Sequence, residues 1–249
     1  VIVDWLSKQN FVELVVSYAM AHALVTGCST SATLGRAEVM HEGQIQFGGT
    51  FELQLGTAKV ASDIEIPLPA YVTGATGRIG LANGFEAGAR LTGGWFPSFD
   101  ALQIGADFKG QIYSDNSWHI AAQLSETWER FSLQGSPIYG LTTGIGFPLG
   151  RSIGPNEITL VPKIHYSYVF GEGFYPLGVT WYGSSLAYHW KINDSVECVP
   201  DVSMMVSDVG FNGTRPEKER SGASVIQLSL SVNYFFPQTA TQEKPTPAP

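Results

Sequence analysis

Charge is scarce in this chain: Asp, Glu, Lys and Arg make up 14% of its residues, against about 25% in an average soluble domain. A water-facing surface over 249 residues would need more. The basic residues are the scarcer kind, 14 Lys and Arg against 22 Asp and Glu, for a formal net charge of −8. They form no cluster, which excludes nucleic acid as a partner, because phosphate binding needs Lys and Arg gathered on one face. The two cysteines, Cys28 and Cys198, are too few for a disulfide framework or a Cys-based metal site. Neither a cofactor nor a metal centre is expected. Beyond residue 28 no apolar run approaches the ~18–20 residues of a transmembrane helix. A membrane crossing, if there is one, is made by strands.

What the chain does have is alternation. In residues 44–55, Ile45, Phe47, Phe51, Leu53 and Leu55 fall on one face and Gln44, Gln46, Thr50, Glu52 and Gln54 on the other. Side chains alternate across a strand, so one face is oily and one is wet. The segment exceeds the ~5–6 residues of a usual globular strand and suits a tilted bilayer span of about 9–11 residues. The pattern repeats about ten times to residue 236. A weaker, glycine-interrupted segment runs over 70–79, and Leu81-Ala82-Asn83-Gly84 reads as a tight turn, since Asn-Gly supplies positive φ. Phe85, Ala87, Ala89 and Leu91 then oppose Glu86, Arg90 and Thr92; Leu102, Ile104, Ala106 and Phe108 oppose Gln103, Asp107 and Lys109; Trp118, Ile120, Ala122 and Leu124 oppose His119, Gln123 and Ser125. After Tyr139 to Phe147, the most aromatic pair carries Ile158, Leu160, Ile164, Tyr166, Tyr168 and Phe170, then Tyr182, Leu186, Tyr188 and Trp190. Val202, Met204 and Val206 alternate with Glu197, Asp201 and Ser203, and the last strand sets Ile226 to Phe236 against Gln227, Ser229, Ser231 and Asn233.

Turns are expected at 81–84, 114–117 and 193–195, and longer loops at 56–68, 126–137 and 207–222. The connection at 148–157, with Pro148, Gly154 and Pro155, is long for its class. Short turns on one side and longer loops on the other are the habit of bacterial barrels, whose strand number is even. The fold expected is therefore all-β: a transmembrane antiparallel up-and-down β-barrel of about ten strands over residues 44–236. Residues 1–27, with an apolar core from Phe11 to Val25, read as an export signal, and 28–43 as a linker. Residues 237–249, repeating Thr, Gln and Pro, read as a tail that cannot bury enough surface to fold.

The inward face collects Glu52, Glu86, Arg90, Asp107, Lys109, His119, Lys163, His165, Glu197 and Asp201. Small barrels have interiors filled by side chains, so these mixed charges are expected to form a paired network, as buried charges must. A narrow polar channel lined by the same groups is the alternative. A secreted, lipocalin-like carrier of an apolar ligand is another, but it would put its oily residues inward. Trp95, Trp118, Trp128, Trp181 and Trp190 are expected in interfacial girdles, and Cys198 as a small lipid-facing hydrophobe.

On these patterns residues 28–236 resemble the bacterial outer-membrane β-barrel proteins. Val25-Thr26-Gly27-Cys28 resembles the bacterial lipobox, which implies that Cys28 is lipidated, and a lipobox followed directly by a barrel resembles the small barrel lipoproteins. Ser29 at the next position would then favour sorting to the outer membrane. Tyr234 and Phe236 resemble the C-terminal signal read by barrel-assembly machinery, although here the tail comes after it. The partners implied are outer-membrane lipid and the barrel-assembly and lipoprotein-sorting machineries. His165-Tyr166-Ser167 resembles the His-x-Ser pair of outer-membrane lipid A deacylases, in which the imidazole would activate the hydroxyl. Tyr168-Val169-Phe170 lacks the polar and small residues expected after that pair, so no catalytic role is assigned.

Overall fold

The computed structural model describes residues 35–61, 64–96, 99–133, 136–171, 174–209 and 221–236. The expected export signal at 1–27, the expected lipidation position Cys28, residues 210–220 of the expected loop and the expected tail at 237–249 lie outside the described residues.

Eleven strand segments form one closed antiparallel sheet: β1 Ile45–Ala61, β2 Ile64–Leu81, β3 Phe85–Phe96, β4 Phe99–Ser114, β5 Trp118–Leu133, β6 Ser136–Gly146, β7 Leu149–Ile153, β8 Asn156–Gly171, β9 Phe174–Lys191, β10 Val196–Val209 and β11 Ser221–Phe235. β6 and β7 both lie between β5 and β8, so they are two lengths of one stave and the barrel has ten. The seam closes between β1 and β11, where Phe51 faces Leu230. The break between β6 and β7 falls at Phe147-Pro148. Proline has no N–H for the ladder, yet its carbonyl still accepts from the Ala121 amide at 2.9 Å, and Phe147 N–H reaches Pro162 O at 3.0 Å. The overlong connection at 148–157 is thus a strand with a proline in it, and the true turn is at Gly154-Pro155.

One end of the barrel carries tight turns and both ends of the described chain. In the first turn Asn83 and Gly84 hold φ of 61° and 74°. Replacing Gly84 with Val is expected to cost about 1–2 kcal/mol, the penalty of a side chain in the left-handed region, read as a lower urea midpoint with an unchanged slope. In the next turn Asp115 accepts from the Tyr113 hydroxyl at 2.7 Å and from the amides of Ser117 and Trp118 at 2.7 and 2.6 Å. The Tyr113 hydroxyl, then the two amides, hold its carboxyl down at about 2. The turn therefore keeps this support above about pH 4 and loses it as the pH falls toward 2.

The loops expected at 56–68 and 126–137 are strand instead: β1 runs to Ala61 and β2 starts at Ile64, β5 runs to Leu133 and β6 starts at Ser136. In the aromatic run Trp95 to Asp100, β3 reaches Phe96 and β4 starts at Phe99. Neighbouring staves supply the backbone hydrogen bonds in these stretches, so they are strand although their sequence does not alternate strictly.

Outside, large apolar side chains stand exposed on nearly every stave, among them Phe51, Ile104, Leu124, Ile164, Leu186 and Leu230. Two aromatic bands edge this belt. Near the turns, Phe47, Tyr234 and Phe236 stack edge to face at 5.7 and 5.1 Å, and Arg151 lies 5.4 Å over Trp118. Toward the other end, Trp128, Tyr139, Phe170 and Tyr168 form a chain with centroids 5.8–6.0 Å apart. The rise along the barrel axis from Trp118 to Trp128 on a stave tilted by about 40° is about 25 Å, the height of an outer-membrane apolar band. An exposed apolar surface of this extent and height is a face made to be covered, as a lipid bilayer covers an outer-membrane barrel. The carrier arrangement, oily side inward, is not the one that folds. Trp118, Trp128 and Trp190 face outward as expected, and Cys198 is half-buried on the same face. Trp181 does not: it is 1% exposed and points into the barrel, as the two-residue period demands once Tyr182 is outside. The belt is interrupted at the exposed Glu126, which accepts from Thr143 Oγ1 at 2.7 Å.

Candidate functional site

The lumen is filled in three levels. At the turn end, the β-strand period turns Arg78, Glu86, Asp107 and Lys109 of β2, β3 and β4 inward to one point. Arg78 bonds Glu86 through Nε and Asp107 Oδ1 through Nη2 at 2.6 Å, and Lys109 Nζ lies 3.1 Å from Glu86. Across the bore, Glu197 accepts from Asn233 at 3.2 Å and meets His189 Nδ1 at 3.1 Å.

Between these two clusters runs the end of the linker. Ala37 and Val39 are buried, and the segment's polar groups are spent on the wall. Arg36 Nε donates to Glu197 at 2.7 Å, Ala37 N–H to Glu157 at 2.6 Å, Val39 N–H to Gln111 at 2.8 Å and Met40 N–H to Glu86 at 3.1 Å, while Lys109 donates to the Arg36 carbonyl at 2.6 Å. Residues 36–40 thus plug the mouth. The chain then crosses β2 so closely that a Cβ at Gly80 would collide with the His41 carbonyl, which is why glycine stands there. Beside the plug an open cavity of about 290 Å³ is lined by His41, Lys191 and Asp194 among others.

The middle level is polar. Gln227 donates to Glu52 at 2.7 Å, Arg90 to Thr127 at 2.8 Å and Thr92 to Gln103 at 2.7 Å. Lys163, His165 and Asp201 are buried at this depth. Among the described residues, apolar side chains join the polar ones from here on: Trp181 and Met205 face inward beside His165 and Lys163, and Phe131, Ile138, Val169 and Val179 are buried near Glu129, Thr142 and Ser167, which are buried too.

All the inward-facing groups expected from the sequence are buried in the bore. They do not meet at one place: Glu86, Asp107 and Lys109 gather near one side of the plug, Glu197 at the other, and Glu52, Arg90, Lys163, His165 and Asp201 above. His119 stands between Ser114 and Ser152, each 2.9 Å from a ring nitrogen. His165 and Ser167 share the inner face of β8, about 6.6 Å apart along the strand. The Ser167 hydroxyl bonds Thr142 at 2.8 Å, and no hydrogen bond joins it to His165 among the described residues.

Sequence reasoning missed Arg78, Glu129, Glu157 and His189, all buried. Arg78 sits in the glycine-interrupted strand, Glu129 and Glu157 in segments that look like loops. His189 could have been found, because it lies between the outward Tyr188 and Trp190.

No protein-family model matches the chain, nor does any curated protein. Among solved structures it is similar to an outer-membrane channel of Pseudomonas putida F1, with 8% identity, 82% of this chain and 100% of that one covered, and a TM-score of 0.50. The translocator domain of the autotransporter NalP of Neisseria meningitidis is similar at 12% identity over 90% and 97%, TM-score 0.46. The outer-membrane protease OmpT of Escherichia coli is similar at 7% identity over 83% and 100%, TM-score 0.42. At these identities the likeness concerns the fold: the chain is a ten-stave antiparallel barrel of the bacterial outer-membrane type.

Proposed function

We propose that this protein is an occluded barrel of the bacterial outer membrane whose role is structural or surface-interacting rather than conductive. The observation that carries this reading is the filled bore. A permeant would meet the plug at residues 36–40, then the hydrogen-bonded polar level, where the buried Trp181 and Met205 also fill the bore. An 18-residue stave such as β2 or β9 rises roughly 40 Å when tilted by about 45°, against an apolar band of about 25 Å. The barrel therefore stands above the lipid at the end away from the turns, offering a surface for contact with what lies outside. In this reading the tight turns and the plug face the periplasm, Cys28 carries a lipid anchor a few residues before the plug, and Tyr234 and Phe236 serve the assembly machinery. A lipid-modifying hydrolase would need its substrate to reach Ser167 through the wall, so that reading gains no support.

The test is planar-bilayer recording of the folded full chain. The expected result is no steady open level at moderate voltage in concentrated KCl. A stable, reproducible conductance would overturn the occluded reading and put a narrow polar channel in its place.

A further inference from the structure

Near the plug, Glu38, His119 on β5 and Glu157 on β8 each place a ligand-type atom within 4.8 Å of the other two. They come from three parts of the chain far apart in sequence. From this convergence we propose that Glu38, His119 and Glu157 bind a first-row divalent cation that latches the plug to the barrel wall.

A buried atom of the site itself strengthens the assignment. Glu157 uses one carboxylate oxygen fully, accepting from the Ala37 amide at 2.6 Å and the Thr159 hydroxyl at 2.5 Å. Its other oxygen is buried without a hydrogen-bond partner among the described residues, and so is Nε2 of His189, which stands directly opposite Glu157 in the β8–β9 register. An unpaired buried carboxylate oxygen is costly, and a cation held between Glu157, Glu38 and His119 would supply its missing partner. His119 is also prepared. Either ring nitrogen could release its serine and turn to a metal, leaving the other serine to fix the ring, the usual second-sphere arrangement.

The donor set, imidazole with carboxylates, suits zinc and its neighbours rather than calcium or magnesium, which take oxygen alone. Zinc at about 2.0–2.2 Å from each donor would bring them to about 3.4 Å apart, so the side chains need close by little more than an ångström. Glu38 can supply that movement, since its carboxylate is held by no hydrogen bond among the described residues. Two carboxylates would balance the charge of the ion. Glu197 is already matched by Arg36 at 2.7 Å.

The experiment uses the full chain folded in detergent, stripped with EDTA and titrated with zinc chloride, folding being checked by its faster migration unheated. One zinc per folded chain is expected, with cobalt(II) giving a visible absorption band at the same stoichiometry. Glu38→Gln, which removes no contact that holds the fold, should weaken binding at least about tenfold, and His119→Ala more. Zinc should slow hydrogen exchange at the amides of Ala37, Val39 and Met40. Less than stoichiometric zinc on the folded wild type overturns the site, as does equal binding by wild type and both variants. Stoichiometric binding with unchanged exchange at those amides overturns the latch.

Discussion

Replacing Arg78 with Met is expected to destabilise the barrel by about 3–5 kcal/mol, the usual consequence of removing one partner from a buried ion pair. Arg78 is the shared partner of Glu86 and Asp107, and its side chain is almost wholly buried. Met fills much the same volume, so the loss is electrostatic rather than a cavity. Glu86 keeps Lys109 at 3.1 Å and the Met40 amide. Asp107 keeps the Gln123 side chain at 3.0 Å, a neutral donor set against a full charge. The double variant R78M/D107N should therefore recover a large part of the loss, because the introduced amide can still accept from Gln123 while carrying no charge. Urea unfolding in lipid vesicles, followed by tryptophan fluorescence and the heat-modifiable band, checks both. Equal stability of wild type and R78M would mean that this cluster is hydrated and the mouth open.

The cluster also marks where sequence reading succeeds and where it stops. Glu86, Asp107 and Lys109 are legible because β3 and β4 separate lipid from a polar bore, so a strict two-residue period runs through them. Arg78 is not, because Thr73, Ala75 and Gly77 on the outer face of β2 are too small or too polar to announce an oily side. Trp181 shows the opposite error: an aromatic on a strand suggests a girdle by its type, although Tyr182 next to it already fixes its direction. The strand from residue 126 to 131 escapes for a related cause: its outer face carries the exposed Glu126 and Arg130, so the oily side is not announced there, although Thr127 and Glu129 turn inward as polar residues should. At Phe131 and Ile138, both apolar and both buried in the bore, the inner face is no longer marked by polarity. The plug is invisible altogether. Its hold on the wall is made mainly by backbone amides of Ala37, Val39 and Met40, and amides carry no sequence signal.

Substituting Arg for Leu230 should cost about 2–4 kcal/mol in phospholipid vesicles, the penalty for a cationic side chain at the middle of an outer-membrane barrel's lipid face. Leu230 is the central outward residue of β11, with Ile226 and Leu228 on one side and Val232 and Tyr234 on the other, and it is 49% exposed. Its cross-seam neighbour Phe51 is equally exposed, so no carboxylate on the facing stave can pair with the new charge. The contrast is with Ser229, one residue away and pointing inward beside Asp201, where Lys would meet a carboxylate. The cost at Leu230 should also fall toward the edges of the belt, so that Arg at Tyr234, within the aromatic band, costs about 1 kcal/mol or less. Depth dependence is what separates lipid from any protein partner, since a partner's surface has no reason to become steadily more tolerant of charge toward both girdles. A flat profile across Ile226, Leu230 and Tyr234, measured by the same unfolding midpoints, would mean that this face is covered by protein rather than by lipid.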